Sequence, residues 1–281
     1  MPKASALVVI SYYNARTDDR LDMLLSQLRD VRAGAAFDTM VVVNREIDKD
    51  LAIASKYPAL RVCYRENEGY NIGAWNHGWR QAPSYDFYVF LQDECLIARA
   101  HWLRHLHARA RAGKGRLIGE CLVDPAETWA DSQASYEAFY AAQGLGAERW
   151  DVATGELHTP LSIRRFLVER DIEPQPTMRH LRSLMLCAPG RLMNDMGGFP
   201  TGNSYREAVG AEVGCSQRAQ AAGYEVRQAA LLPYTFIIHP QWMAERCNAR
   251  TLKGMIRHAV HRLMSTSARL AVRRMRGRSL V

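Results

Sequence analysis

Tyr85-Asp86-Phe87-Tyr88-Val89-Phe90-Leu91-Gln92-Asp93-Glu94 places this chain among the α/β proteins. Five apolar or aromatic residues run unbroken into a polar, acidic end, the pattern of a strand covered on both faces. Open α/β sheets hold ligands in the crevice outside such strand ends, so Asp93 and Glu94 are expected to face a crevice. Upstream, Glu66-Asn67-Glu68-Gly69-Tyr70-Asn71-Ile72-Gly73-Ala74-Trp75-Asn76 spaces Asn and Gly closely enough for a tight loop opening a helix over 72–81. Trp75 and Trp79, four apart on one face of that helix, read as core packing.

Outward from this point the pattern alternates as βαβ units do. Strands are expected at Ala6–Ser11, Met40–Val43 and Leu60–Tyr64, with helical spacing over Leu21–Val31 and Asp50–Lys56. After the acidic end come a helix over Ala100–Ala112 and a strand over Arg116–Leu122. From Asp124 to Pro176 the pattern loosens, which suggests an excursion over one end of the sheet. Regularity returns with a strand over Ser183–Cys187, turns at 196–203, a helix over Glu207–Ala222 and a last strand, Tyr234–Ile238, leading into His239.

A chain of 281 residues with 48% hydrophobic content buries a full core. Six cysteines without a Cys-x-x-Cys pair argue against a zinc site or disulfide framework and for a reducing, cytosolic setting. The apolar run from Ala6 to Ile10 is too short for a signal peptide or a spanning helix. The net charge of +8 is misleading, because ten Lys and Arg and no acid follow Glu245, leaving residues 1–245 at −2. A nearly neutral main body, and a basic tail without interleaved aromatics, argue against a nucleic-acid partner. In that tail Leu252, Met255, Ile256, Ala259, Val260 and Leu263 recur at helical spacing beside a cationic face. Such a helix over residues 250–278 either packs on the domain or lies on an anionic membrane surface.

The adjacent carboxylates Asp93 and Glu94 read either as a solvated turn or as a site for a divalent cation with oxygen ligands. Asn67, Gly69, Gly73 and Asn76 read either as a helix cap with packing glycines or as a close backbone approach to phosphate. Their spacing fits neither Gly-x-Gly-x-x-Gly after the first strand nor a P-loop, which weighs against a dinucleotide-binding oxidoreductase.

The order of the pieces is more specific than any one of them. Ala6-Leu7-Val8-Val9-Ile10-Ser11-Tyr12-Tyr13-Asn14, Val41-Val42-Val43-Asn44, the Asn/Gly loop, Gln92-Asp93-Glu94, and Gly197-Gly198-Phe199 followed by Glu212, Arg218 and Gly223-Tyr224 resemble family 2 glycosyltransferases with the GT-A fold. The likeness covers roughly residues 5–125 and 180–240. It implies a mostly parallel open sheet with helices on both faces, divided into a nucleotide-sugar half (1–123) and an acceptor-side half (124–244), with the tail from 245 to 281 appended. It further implies inverting transfer from a nucleoside-diphosphate sugar to a glycan or lipid-linked acceptor, in cell-surface polysaccharide synthesis. The setting would be cytoplasmic, peripheral on the inner face of the membrane.

Carried over by position, the resemblance puts Tyr12, Asn14 and Asn44 at the nucleotide and Asn67, Gly69, Gly73, Asn76, Gln92 and Asp93 at the donor. Mg²⁺ or Mn²⁺ would be held by Asp93, Glu94 and His239, and Glu212 would be the general base. Gln92, Asn44 and Ala211 each stand where the family usually has an acid. Those departures support an alternative, a catalytically weakened GT-A domain that binds nucleotide sugars or glycans.

Overall fold

The computed structural model describes residues 5–15, 17–125, 127–142, 159–249, 251 and 254. The tail beyond Ala249, and with it the expected membrane-binding segment 250–278, therefore lies outside the described residues apart from Thr251 and Gly254.

In chain order the elements are β1 (Ala6–Tyr13), α1 (Asp19–Asp30), β2 (Phe37–Arg45), β3 (Arg61–Glu66), α2 (Tyr70–Gln81), β4 (Phe87–Gln92), β5 (Leu96–Ile97), α3 (Trp102–Ala110), β6 (Arg116–Gly119) and β7 (Leu122–Val123). There follow α4 (Trp129–Ala141), α5 (Pro160–Glu169), β8 (His180–Leu181), β9 (Met185–Pro189), α6 (Gly190–Met196), α7 (Tyr205–Ala221), β10 (Glu225–Gln228), β11 (Ile237–Ile238) and α8 (Met243–Ala249).

Seven strands form one sheet in the order β10-β6-β9-β4-β1-β2-β3. Neighbours are parallel except at β9, which runs antiparallel to both β4 and β6. This is the open, mostly parallel sheet that the resemblance implies. Side chains alternate between its faces with the period of two that a strand imposes. Leu7, Val9, Met40, Val42, Tyr88 and Phe90 enter one apolar layer, against Trp75 and Trp79 of α2 and residues of α5, α6 and α7. Val8, Ile10, Val41, Val43, Val89 and Leu91 enter the other, against Leu21, Leu24, Leu25 and Leu28 of α1 and Trp102, Leu103 and Leu106 of α3. Helices thus cover both faces, and the central strands β1, β4 and β9 are buried along nearly their whole length.

Three differences from the sequence reading have physical causes. The loose stretch 124–176 contains two helices, α4 and α5. Thr159 and Ser162 cap α5 reciprocally with Pro160 at its first position, a start signal present in the sequence. The strand expected over Arg116–Leu122 divides, because the backbone leaves the sheet after Gly119 to bury the Glu120 side chain. The last strand shortens to Ile237–Ile238, since Tyr234, Thr235 and Phe236 bond to the Glu120 segment instead of a neighbouring strand.

The antiparallel β9 positions the site. Because it starts where β4 ends, with Met185 opposite Leu91, the segment 180–184 lies at the carboxyl end of the parallel strands.

Candidate active site

At the end of β4 the Asp93 N–H donates to Ser11 O (3.1 Å) and the Cys95 N–H to Gln92 O (3.1 Å), closing a tight turn over the end of β1. The three polar side chains of that turn diverge. Gln92 Nε2 donates to Ser183 O at 2.9 Å. Asp93 is buried beside Tyr12, whose hydroxyl donates to Asp18. Burial first, then Asp18, and to a lesser extent Asp93, push the Tyr12 phenol well up. Glu94 pairs through Oε1 with Arg20 of α1, and its Oε2 lies 3.2 Å from His239 Nε2.

Glu212 reaches the same end of the sheet from the middle of α7, a helix started by Ser204, whose side chain accepts from the Glu207 N–H. Its Oε2 accepts from the Ser183 N–H (2.9 Å) and from the Ser183 hydroxyl, while Oε1 lies 3.7 Å from His180 Nε2. The His180 Nδ1–H donates to Met178 O at 2.8 Å, which fixes the ring with Nε2 toward the carboxylate. Burial would raise the Glu212 carboxyl, but His180 and the two Ser183 donors outweigh it, and the group sits below its ordinary value. Ionised Glu212 therefore adds stability above the unfolded-state carboxylate pKa of about 4.3, which is lost as pH falls through the lower folded value. His180→Gln is expected to move the Glu212 titration to higher pH, read by NMR on ¹³C-labelled glutamate. An unmoved titration would show that the imidazole does not set it.

Ser183 is the joint of the site. It holds Gln92 through its carbonyl and Glu212 through its N–H and hydroxyl, so the acidic strand end and the α7 carboxylate belong to one polar cluster.

The asparagines are used internally. Asn14 donates to Ile47 O (2.7 Å) and accepts from the Glu46 and Ile47 N–H groups, tying down the loop after β2. Asn44 donates to Tyr70 O (3.3 Å) and accepts from Arg65 (2.8 Å). Asn76, buried on α2, accepts from the Phe199 N–H at 3.2 Å and so fixes the Gly197-Gly198-Phe199 turn. Gly69 caps α2 with φ +70, and a Cβ on Gly73 would run into the Glu68 carbonyl oxygen. These contacts supply the helix-cap reading with its reason. Asn67 lies half-buried in the connection between β3 and α2.

The described residues include no group of three His, Cys, Asp or Glu arranged around a common metal position. Of the three expected ligands, Glu94 is already paired with Arg20. His239 Nδ1 accepts from the Gln241 N–H at 3.2 Å, which places the neutral ring's proton on Nε2, toward Glu94. As they stand, these residues do not fit a divalent ion.

Four residues of the site escape a sequence reading. Arg20, His180 and Ser183 carry no local signal, since their partners are distant in the chain. Glu120 did carry one, an acid ending an apolar strand as Glu94 does. It is fully buried, and its two oxygens accept from the N–H groups of Thr235 (2.7 Å), Phe236 (2.9 Å) and Ile237 (2.8 Å), fixing the segment that presents His239.

Fold and site define an α/β protein with a cluster of acids and their polar partners at the carboxyl ends of a mostly parallel sheet. No protein-family model and no curated protein matches the chain. Among solved structures it is similar to S. aureus TarS 1–349, with TM-score 0.42 and 16% identity over 75% of this chain and 55% of that one. Its similarity to TarS 1–349 in complex with UDP-GlcNAc has the same TM-score and identity, covering 75% of this chain and 53% of that one. The chain spans about half the length of these structures, and 33% of a longer TarS chain.

Proposed function

We propose that the chain is an inverting glycosyltransferase that moves a sugar from a nucleoside-diphosphate sugar to a hydroxyl acceptor. The observation that carries this reading is the linkage of an ionised, partly exposed Glu212 to the β4 end through Ser183. Breaking the bond from sugar to diphosphate puts negative charge on the leaving group. As the acceptor oxygen attacks the anomeric carbon from the opposite side, its proton passes to Glu212, and displacement in one step inverts that centre. Ser183 and His180 keep the carboxylate deprotonated and fixed, so no reorganisation is needed when the proton arrives. A glycan or lipid-linked acceptor, a role in polysaccharide synthesis, and docking of residues 250–278 on the inner face of an anionic membrane belong to the same proposal and rest on the resemblance and the tail's sequence. Among the described residues no helix is long and apolar enough to cross a membrane.

The second reading, a binding module without turnover, is favoured by the internal use of Asn14, Asn44 and Asn76. Incubation with a panel of UDP-, GDP-, CDP- and dTDP-sugars separates the two. Release of nucleoside diphosphate from at least one donor is expected. Donor binding without any release, alone or with candidate acceptors, would favour the module.

A further inference from the structure

We propose that this crevice binds the diphosphate of its donor through a fixed cation, the Arg20 guanidinium, standing where a divalent ion would otherwise stand. The inference rests on the nucleotide-sugar reading above and adds that binding needs no metal.

Three observations lead to it. First, the Glu94 side chain is 16% exposed and that of Arg20 57%, so in their ion pair the carboxylate lies inside and the cation on the solvent side. A metal approaching Glu94 from the crevice would meet a positive charge already there. Second, the backbone sets the His239 tautomer against ligation. A metal on Nε2 requires the ring proton on Nδ1, yet the Gln241 N–H already donates to Nδ1, so two hydrogens would be forced together. The ring has little freedom to escape this, since it is 2% exposed and the preceding segment hangs on Glu120. Third, Gln92 brings no charge to the acidic triplet, and its amide donates to the Ser183 carbonyl.

Arg20 is suited to the substitute role. A guanidinium carries five N–H donors in a planar fork that matches phosphate, and one carboxylate engages only part of them. Arg20 sits in the first turn of α1, directly after β1, at the carboxyl edge of the sheet where ligands of open α/β folds lie. The acids around it include Asp18, which accepts from Tyr12, Asp22, which pairs with Lys56, and Asp19 in the same turn. The donor's diphosphate carries two negative charges, and the free nucleoside diphosphate about three, so either competes well against one carboxylate for the exposed side of this cation.

Calorimetric titration of the full chain with UDP, GDP, CDP, ADP and dTDP, each in EDTA and in Mn²⁺, tests the proposal. At least one nucleotide is expected to bind in EDTA within about threefold of its affinity in Mn²⁺. Arg20→Gln should weaken that binding about tenfold or more in EDTA, with Arg20→Lys intermediate. With the cation gone, Mn²⁺ should restore part of the loss, because the positive charge that Arg20 set beside Glu94 no longer repels the ion. Unchanged melting temperatures for both variants show that the loss is not one of folding. Binding that requires Mn²⁺ in the parent chain overturns this inference and leaves the transferase reading standing. Binding in EDTA that ignores Arg20→Gln overturns the role of Arg20, and no binding in either condition overturns both readings.

Discussion

Glu212→Gln is expected to lower transfer by about 10²–10⁴-fold while donor affinity stays within about twofold, the range general-base catalysis typically contributes. The replacement has nearly the same shape, and its carbonyl oxygen still accepts from the Ser183 N–H and hydroxyl, so the joint between α7 and the β4 end survives. What disappears is a group able to take a proton. Single-turnover measurement with donor and acceptor reads the chemical step, and titration of the donor reads binding. A variant that transfers at close to the parent rate would remove Glu212 as the base. One that loses donor binding equally would place it at the donor instead.

Glu120→Ala should be the most damaging change away from the crevice. The carboxylate is fully buried and satisfies three successive backbone N–H groups, which an alanine would leave without a partner inside the protein. Losing a buried charged acceptor of this kind costs about 3–5 kcal/mol, or roughly 6–20 °C in melting temperature for a domain of this size. Thermal unfolding followed by circular dichroism checks this, and a drop below about 3 °C would mean that the segment 234–237 is held by other contacts. Glu120→Gln separates charge from geometry, since its single carbonyl oxygen can serve at most part of the set.

Much of the sheet was legible because burial writes itself into sequence. β1, β2 and β4 each contain an unbroken apolar run, Ala6–Ile10, Met40–Val43 and Phe87–Leu91, and α1 repeats leucine at 21, 24, 25 and 28. Strand ends read short because β2 continues through the polar Asn44 and Arg45, which pair with β3. Helix α4 was hidden because its apolar residues are spread around the whole helix and mark no face. β10 was hidden because its outward residues, Glu225 and Arg227, are charged and only Val226 is apolar. The direction of β9 leaves no trace in Met185–Pro189, since an apolar run reads alike both ways. The acids of the candidate site could be read from strand ends and from the family resemblance. Its organisation could not, because Ser183 and His180 meet Glu212, and Arg20 meets Glu94, only once the sheet is assembled.

That same β9 dictates the order in which the chain can mature on the ribosome. β4 and β6 emerge first, but neither meets the other, and both present bare edges until Met185–Pro189 is synthesised and slides between them. Exposed apolar edges of this kind recruit other chains. A fragment ending before residue 185 is therefore expected to leave the β4 edge bare and to self-associate, which ties the folding of the first half of the sequence to the arrival of the second.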